Sequence, residues 1–187
     1  MQIFVTRHTK VQVGRETCYG QTNVPLANTF IEEAAALKEK LPTDFDAVYC
    51  STLDRCKVLA TELKFENIQY DERLIEFNFG DWENKLWNDL DQTALNTWME
   101  DFVNLPTPNG ENVLALYERL SSFLEEMRNK KFEKVLLITH AGVIRCIWSY
   151  LLEIPVKNMF KIPVGFEEIF VFNLGEEKTY DSIKQKL

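Results

Sequence analysis

Both histidines of the chain stand directly after a short apolar stretch that predicts a buried strand. His8 ends the run QIFVTRH, in which Arg7 is the preceding residue, and His140 ends the run KVLLITH. A single histidine in such a place more often has a structural role. In open α/β sheets, however, ligands bind at the carboxyl ends of the strands, and both histidines can face that one edge. The sequence therefore predicts a shared reactive site.

Arg55 is a candidate for the same site because it falls in the first turn of a helix predicted from about residue 53 to 63. A cation there opposes the helix dipole. Arg55 therefore either has an anionic partner or is a solvated surface residue. Two arginines and two imidazoles around one point would suit a phosphoryl group, since guanidinium donors match phosphate oxygens and an imidazole can act as nucleophile. Glu76 is the nearest acid that could protonate a departing alkoxide.

Strand-like and helix-like segments alternate along the chain, which predicts an α/β fold, a three-layer αβα sandwich with a mainly parallel central sheet. Further strands are expected at 45–50, 68–70 and, at the sheet edge, 168–172; helices are expected at about 29–41, 53–63 with Ser51 as N-cap, 86–102, from about 112, and 141–152. Residues 9–27 form an unusually long loop, which is typical of a functional segment. We expect a single domain spanning 1–187, with about 77–112 forming a lid over the site.

The composition narrows the classes of partner. With 21 Lys and Arg against 29 Asp and Glu, the net charge is −8, which argues against a nucleic-acid surface or attraction to anionic membranes. The four cysteines show no paired or metal-ligand spacing, so we expect buried, reduced thiols, no metal and no cofactor. No signal peptide or membrane span is evident. We therefore expect a cytoplasmic protein, and the cluster of arginines and imidazoles makes a small phosphorylated metabolite the expected partner of a monomer or homodimer.

Five segments, in order, resemble motifs of the histidine phosphatase (phosphoglycerate mutase-like) superfamily. RHT at 7–9 resembles its RHG signature, and the region 139–145 is similar to its S-H-G-G-V-I-R segment. The other three matches are STLDRC at 51–56, LIEFNFGDWE at 74–83, and PNGEN at 108–112 followed by Arg119. The resemblance implies a phosphoglycerate mutase-like fold and metal-independent phosphoryl chemistry.

The resemblance also implies a role for each matching residue. His8 would be the phosphorylated nucleophile, and Glu76 would be the general acid and then the base for water. Arg7, Arg55 and His140 would bind the phosphoryl oxygens and stabilise the transition state.

Residues 14–26 are similar to the G-x-C-Y-G-x-(T/L)-D-(L/V)-P-L segment of one branch of that superfamily, the alpha-ribazole phosphatases. That branch also commonly has Arg-His-Thr. Substrate contacts are therefore expected from this loop and from backbone N–H groups after the second histidine: Tyr19, Gly20, Gln21, Thr22, Ala141 and Gly142.

The chain departs from the family patterns at several positions. Thr9 and Lys10 replace the usual Gly-Glu, and Asn23 replaces an aspartate of the alpha-ribazole branch. Ala141 and Asn84 each stand where a glycine is usual. These changes leave the nucleophile, the arginines and the acid in place.

The branch resemblance implies removal of the 5′-phosphate from alpha-ribazole 5′-phosphate, or from cobalamin 5′-phosphate, in assembly of the cobalamin lower ligand. Trp82, Trp87, Trp98 and Phe102 could stack on the flat base, or could simply pack the core between helices. A broad-specificity small-molecule phosphatase is the main alternative. A phosphoglycerate mutase-type phosphotransferase and a catalytically inactive phospho-ligand binding module are less favoured.

Overall fold

A computed structural model of the chain describes all residues, Met1–Leu187, and contains one six-stranded sheet. The strands are β1 (Gln2–Arg7), β2 (Ala47–Cys50), β3 (Ile68–Tyr70), β4 (Lys134–Thr139), β5 (Ile169–Asn173) and β6 (Ser182–Lys186). Their order is β3-β2-β4-β1-β5-β6. The first four strands in this order pair in parallel. Strand β5 pairs antiparallel with β1, and β6 pairs antiparallel with β5.

Helices cover both faces of the sheet: α1 (Phe30–Lys40), α2 (Asp54–Leu63), α3 (Gln92–Glu100), α4 (Val113–Arg128) and α5 (Ala141–Leu151). Apolar residues of α1 and α2 form one core against the sheet, and those of α3, α4 and α5 form a larger core on the other face. The chain also has five short 3-10 helices, at Glu72–Leu74, Gly80–Trp82, Trp87–Asp89, Val156–Lys161 and Lys178–Tyr180. The predicted α/β sandwich with its mainly parallel sheet is confirmed.

The register of β1 and β4 brings the two histidines together. Arg7 is the partner of Thr139 in this parallel pair, so the next residue of each strand leaves the sheet at the same level. The backbone N–H of His8 donates to the Thr139 carbonyl at 2.9 Å. Buried β-branched and aliphatic residues on both strands fix this register, because a slip of one residue would turn them toward the wrong face.

Several element boundaries differ from the sequence predictions. The helix expected from residue 86 begins at Gln92, because Asp91 accepts hydrogen bonds from the Thr93 and Ala94 N–H groups and thereby caps α3. Ser51 is not the N-cap of α2, which begins three residues later at Asp54. The expected edge strand is β5, but β6 lies outside it.

Strand β6 was not predicted from the sequence because all five of its residues are exposed. An edge strand with no buried face shows no alternation of apolar and polar residues. No helix of the structure combines the length and the apolar character needed to cross a lipid bilayer.

Candidate active site

A cavity of about 840 Å³ opens where β1 and β4 end. Six of the residues predicted for the site line it: Arg7, His8, Tyr19, Glu76, Ala141 and Gly142. Arg55 and His140 do not line the cavity; both are almost fully buried behind it. Because four separate segments of the chain meet here, the fold assembles the site from residues far apart in sequence.

His8 is 1% exposed, and its ring has a fixed orientation. Its Nδ1–H donates to the Thr9 carbonyl at 2.7 Å, and a carbonyl can only accept, so Nε2 carries the free lone pair. Burial lowers the pKa of His8 well below its usual value, and the positive charges of Arg55 and Arg7 lower it further. The imidazole is therefore neutral at physiological pH, as a nucleophile must be.

Arg55 lies in the first turn of α2 and is 1% exposed. Its Nη1 donates to the Thr22 carbonyl at 3.0 Å, and its Nη2 donates to the Gly20 carbonyl. Its Nε has no hydrogen-bond partner. A buried guanidinium whose hydrogen-bond partners are carbonyls has no carboxylate to balance its charge, which favours binding of an anion close by.

His140 is the residue before α5 and is fully buried beside His8, with the two ring centroids 5.2 Å apart. Its Nε2 is hydrogen-bonded with the Ser51 hydroxyl at 2.7 Å, and the Cys56 sulfur lies 3.5 Å from the same nitrogen. Burial lowers the pKa of His140 well below its usual value, and Arg55 lowers it further. Ser51, predicted as a helix cap, therefore orients an imidazole.

Glu76 follows the 3-10 turn at Glu72–Leu74 and points into the cavity. Its Oε1 accepts from the Phe77 N–H at 3.0 Å, and its Oε2 accepts from the Gly142 N–H at 3.1 Å. Its own carbonyl accepts from Arg119 and from Gln21, each at 3.0 Å. Separate sets of hydrogen bonds therefore hold the carboxylate and the backbone carbonyl of Glu76.

Of the four loop residues predicted to bind substrate, only Tyr19 lines the cavity. Gly20 packs under the Phe77 carbonyl so closely that a Cβ would lie 1.9 Å from that oxygen. Gln21 and Thr22 donate their backbone N–H groups to Glu83, at 2.8 and 2.6 Å. The structure thus places three of the four behind the cavity wall, where they support Arg55.

Two of the departures from the family patterns have a local explanation. Asn23 Oδ1 accepts from the Asp54 N–H at 3.1 Å, at the start of α2. Asn84 has a φ of +65°, the left-handed region that glycine usually occupies and that asparagine tolerates. Both asparagines therefore satisfy the local backbone without a carboxylate or a glycine.

Aromatic side chains form one wall of the cavity, and most come from the segment 77–112 that was predicted as a lid. Phe77, Phe79, Trp87 and Trp98 line the cavity, whereas Trp82 and Phe102 pack beside them without reaching it. The ring centroids of Phe79 and Trp87 are 5.4 Å apart at 82°, an edge-to-face contact. A planar, partly apolar leaving group would find a complementary surface here.

Among the cavity-lining residues that were not assigned to the site from the sequence are three cationic side chains and one aromatic ring: Lys10, Arg15, Arg145 and Phe166. In the sequence, Lys10 is distinguished only as a departure from the family pattern, and Arg145 only as the last residue of a matching segment. Arg145 donates from Nε to the Ile162 carbonyl at 3.1 Å and has no carboxylate partner. Phe166 lies in a loop before β5, where the sequence gives no local signal of function.

All four cysteines are buried and free. Burial raises the pKa of Cys18 to about 12, and that of Cys50 likewise to about 12, so neither thiol ionises near neutral pH. No group of three or more His, Cys, Asp or Glu side chains is arranged so that it could hold a metal ion.

The fold resembles several solved structures. The alpha-ribazole phosphatase from Shigella flexneri superposes with a TM-score of 0.89 at 24% identity, over 98% of this chain and 95% of that one. A phosphoserine phosphatase mutant from Entamoeba histolytica, in complex with phosphoserine, gives a TM-score of 0.85 at 17% identity, over 99% and 95%.

Sequence comparison finds phosphoserine phosphatase 1 of Hydrogenobacter thermophilus, which is 22% identical over 189 residues, covering 95% of this chain and 89% of that protein. The family model of the histidine phosphatase superfamily (branch 1) matches residues 3–180, nearly the whole length of the chain. The chain therefore belongs to the histidine phosphatase superfamily.

Proposed function

We propose that this protein is a metal-independent phosphomonoesterase that acts through a phosphohistidine formed on His8. One observation carries the proposal: the buried His8 imidazole, with its Nε2 lone pair free, lies beside two guanidinium groups. Such a group can attack phosphorus, and the charges of Arg7 and Arg55 would stabilise the three phosphoryl oxygens as the transition state develops.

The reaction then proceeds in two displacements. In the first, the His8 Nε2 lone pair forms a bond to phosphorus while the ester P–O bond breaks, and the departing alkoxide takes the proton of Glu76. In the second, the Glu76 carboxylate takes a proton from water, the water oxygen attacks phosphorus, and the P–N bond breaks to restore His8. Inorganic phosphate is the product.

The His140 ring lies outside the cavity, so it would support the His8 ring rather than bind the phosphoryl oxygens itself, and it would exchange no proton. The Ser51 hydroxyl fixes its ring 5.2 Å from the ring of His8. The backbone N–H groups of Ala141 and Gly142 stand at the start of α5, where the helix dipole favours negative charge. The Ala141 N–H would extend the binding surface for the phosphoryl oxygens, whereas the Gly142 N–H is already donated to Glu76 Oε2 at 3.1 Å.

Among substrates, we favour alpha-ribazole 5′-phosphate, or cobalamin 5′-phosphate, in assembly of the nucleotide loop of cobalamin. The similarity of residues 14–26 to the alpha-ribazole phosphatase segment supports this choice. The cavity supports it too, since a volume of about 840 Å³ and a wall containing Phe79, Trp87 and Trp98 suit a nucleoside with a flat, apolar base.

A phosphoserine phosphatase activity is the second candidate, and a specific feature favours it. Arg145 and Arg15 both line the cavity, and neither forms an ion pair with a carboxylate. A carboxylate on the leaving group could pair with either guanidinium. A leaving group such as serine would, however, leave most of the aromatic wall without contact.

Substitution of the nucleophile tests the mechanism. His8→Ala should abolish turnover of p-nitrophenyl phosphate. The wild-type protein should carry one labile phosphoryl group when it is quenched, in denaturant without acid, during turnover of a labelled substrate. Lys134→Met, at the opposite end of β4, is the matched control and should behave as wild type. Turnover by His8→Ala near the wild-type rate would rule out the covalent mechanism.

A panel of substrates tests the choice of leaving group. We expect kcat/KM for alpha-ribazole 5′-phosphate to exceed that for phosphoserine, 3-phosphoglycerate and a nucleoside monophosphate by about 100-fold, or about 2.7 kcal/mol. Trp87→Leu should reduce that preference, whereas Tyr70→Leu, an exposed aromatic residue on β3, should not. Equal values across the panel would indicate a broad-specificity phosphatase, and a preference for phosphoserine would favour the second candidate.

A further inference from the structure

The segment Val164–Glu168, here called the Phe166 loop, covers the two residues at the end of β1. The Phe166 ring lies over the Arg7 guanidinium, with Cζ 3.8 Å from the ring centroid. The same ring meets His8 edge-on, with the centroids 5.9 Å apart at 65°. The Val164 carbonyl accepts from Arg7 Nη1 at 3.4 Å. The loop thus contacts both a proposed phosphate ligand and the proposed nucleophile.

The Phe166 loop has a conformation that its own backbone disfavours. Glu167 has a φ of +60°, in the left-handed region that is unfavourable for a residue with a Cβ atom. Within the loop, the Gly165 N–H donates to Glu168 Oε2 at 2.7 Å. Contacts from outside the loop must supply the rest of the stabilisation.

Two lysines from other segments hold Glu167 in place. Lys10 Nζ lies 3.1 Å from Glu167 Oε1 and also 3.1 Å from Glu33 Oε1, so it joins the loop to α1. Lys40 Nζ donates to the Glu167 carbonyl at 2.9 Å. Lys10 follows Thr9 at the point where the family pattern usually has a glutamate, and a glutamate there would repel both carboxylates.

We propose that Phe166 is a positioning residue for Arg7, and that the Lys10–Glu167 ion pair fastens the loop that carries it. The inference rests on the proposed phosphohistidine mechanism. A ring against one face of the guanidinium removes water from that face and fixes its plane, while the N–H donors other than the one held by Val164 stay available for phosphoryl oxygens. Arg7 is thereby oriented before the substrate arrives, which reduces the ordering that binding requires.

Inorganic phosphate is the direct probe, because its dissociation constant depends on Arg7 and not on the identity of the leaving group. Phe166→Leu keeps an apolar side chain but loses the ring face, and we expect it to weaken phosphate binding about 10-fold by calorimetry. Phe166→Tyr keeps the ring and should bind phosphate within about twofold of wild type. Phe45→Leu, a partly buried phenylalanine at the other end of the sheet, is the matched control.

A role limited to packing would give a different pattern. In that case Phe166→Leu would lower the unfolding temperature and leave the phosphate dissociation constant unchanged, and this result would overturn the proposal. Failure of Phe166→Tyr to restore binding would also overturn it. Turnover by His8→Ala, in contrast, would contradict the proposed mechanism while leaving the phosphate measurements interpretable.

The ion pair is tested by Lys10→Met, Glu167→Gln and the double variant. Each single change should weaken phosphate binding by about two- to fivefold at low salt, and the double variant should be no worse than either, because both remove the same contact. Raising the salt should weaken the wild type toward the variants. If Lys10 instead bound phosphate directly, Glu167→Gln would release it and tighten binding, which would refute the proposed fastening role.

Discussion

Glu76 and Gly142 meet through a hydrogen bond of 3.1 Å from the glycine N–H to Oε2 of the carboxylate. The contact joins the loop that follows β3 to the first turn of α5. Any side chain at position 142 would occupy the space of the carboxylate, since a Cβ there would lie 2.3 Å from Glu76 Oε1. The absence of a side chain at 142 is therefore what lets the proposed acid reach its position.

Gly142→Ala should damage catalysis more than stability. Alanine is favoured over glycine within a helix by about 0.5–1 kcal/mol, but its methyl group would displace Glu76. We expect kcat/KM for an alkyl phosphate, which reports the first displacement, to fall by about 100-fold or more, the size of a general-acid contribution, and kcat/KM for p-nitrophenyl phosphate to fall far less, because nitrophenolate leaves without protonation.

Steady-state kinetics on the two ester types measures this difference. Gly175→Ala is the matched control, because its Cβ would also be crowded, at 2.6 Å from Tyr180, but far from the cavity. It should lower stability without changing the ratio of the two kcat/KM values. An equal loss of kcat/KM on both esters in Gly142→Ala would contradict the general-acid role assigned to Glu76.

The sequence predicts that Arg7, His8 and Glu76 lie around one cavity, and it does so because these residues follow apolar strands or lie in short local motifs. The helix caps and the contacts between residues far apart in the sequence were harder to predict. Ser51 looks like a helix cap from its neighbours, yet its hydroxyl contacts His140, 89 positions away. Phe166 has no local pattern at all, because its importance comes only from the fold that brings it onto Arg7. Contacts between distant segments are decided by packing, which local spacing does not encode.

Arg119, on α4, links two carbonyls of the segment that carries Glu76. Its Nη1 donates to the Arg73 carbonyl at 2.8 Å and its Nη2 to the Glu76 carbonyl at 3.0 Å, while Glu111 pairs with it at 3.0 Å. Lysine keeps the charge but cannot reach two carbonyls with a planar fork. Arg119→Lys should therefore lower kcat by about 10-fold and the free energy of unfolding by about 1–3 kcal/mol.

Phosphate affinity separates this effect from a loss of the binding site, because Arg119 does not line the cavity. The dissociation constant of inorganic phosphate should stay within about twofold of wild type, given that the phosphate ligands are untouched. Arg73→Lys is the control, since Arg73 pairs with Asp71 and Glu126 near the surface. If Arg119→Lys kept full kcat, the positioning of Glu76 would not depend on α4.

Glu83 holds together the loop behind Arg55. Its carboxylate accepts the backbone N–H groups of Gln21, Thr22 and Phe79, and the Thr22 hydroxyl as well. Burial raises the pKa of Glu83, but these hydrogen bonds outweigh burial and the net pKa is lowered. In Glu83→Gln, the amide NH₂ would face N–H donors, so a buried donor loses its partner.

We expect Glu83→Gln to lower the free energy of unfolding by about 1–3 kcal/mol in urea titrations. It should also weaken phosphate binding, because the Thr22 carbonyl that holds Arg55 Nη1 would shift. Glu39→Gln, an exposed change on α1, provides the baseline and should alter neither quantity. Unchanged stability in Glu83→Gln would mean that the loop has another support.

The two buried histidines predict how stability depends on pH. Their pKa values are lowered well below the unfolded value of about 6.5. At a given pH near or below 6.5, the unfolded chain therefore binds more protons than the native chain does. Below pH 6.5 the unfolded state therefore gains free energy from protonation, and the folded state loses stability as the pH falls. The loss can reach about 1.4 kcal/mol per pH unit for each histidine, or about 2.7 for both.

Urea unfolding at pH 7.5, 6.5, 5.5 and 5.0 measures that slope. Carboxylates with lowered pKa values, such as Glu83, lose their contribution only at more acidic pH, so the histidines dominate this window, and the chain has no others. His8→Gln should remove about half of the slope, because only His140 then takes up a proton on unfolding. A free energy of unfolding that stays flat between pH 7.5 and 5.0 would show that the native site accepts a proton, and His8 could not then be held neutral for attack.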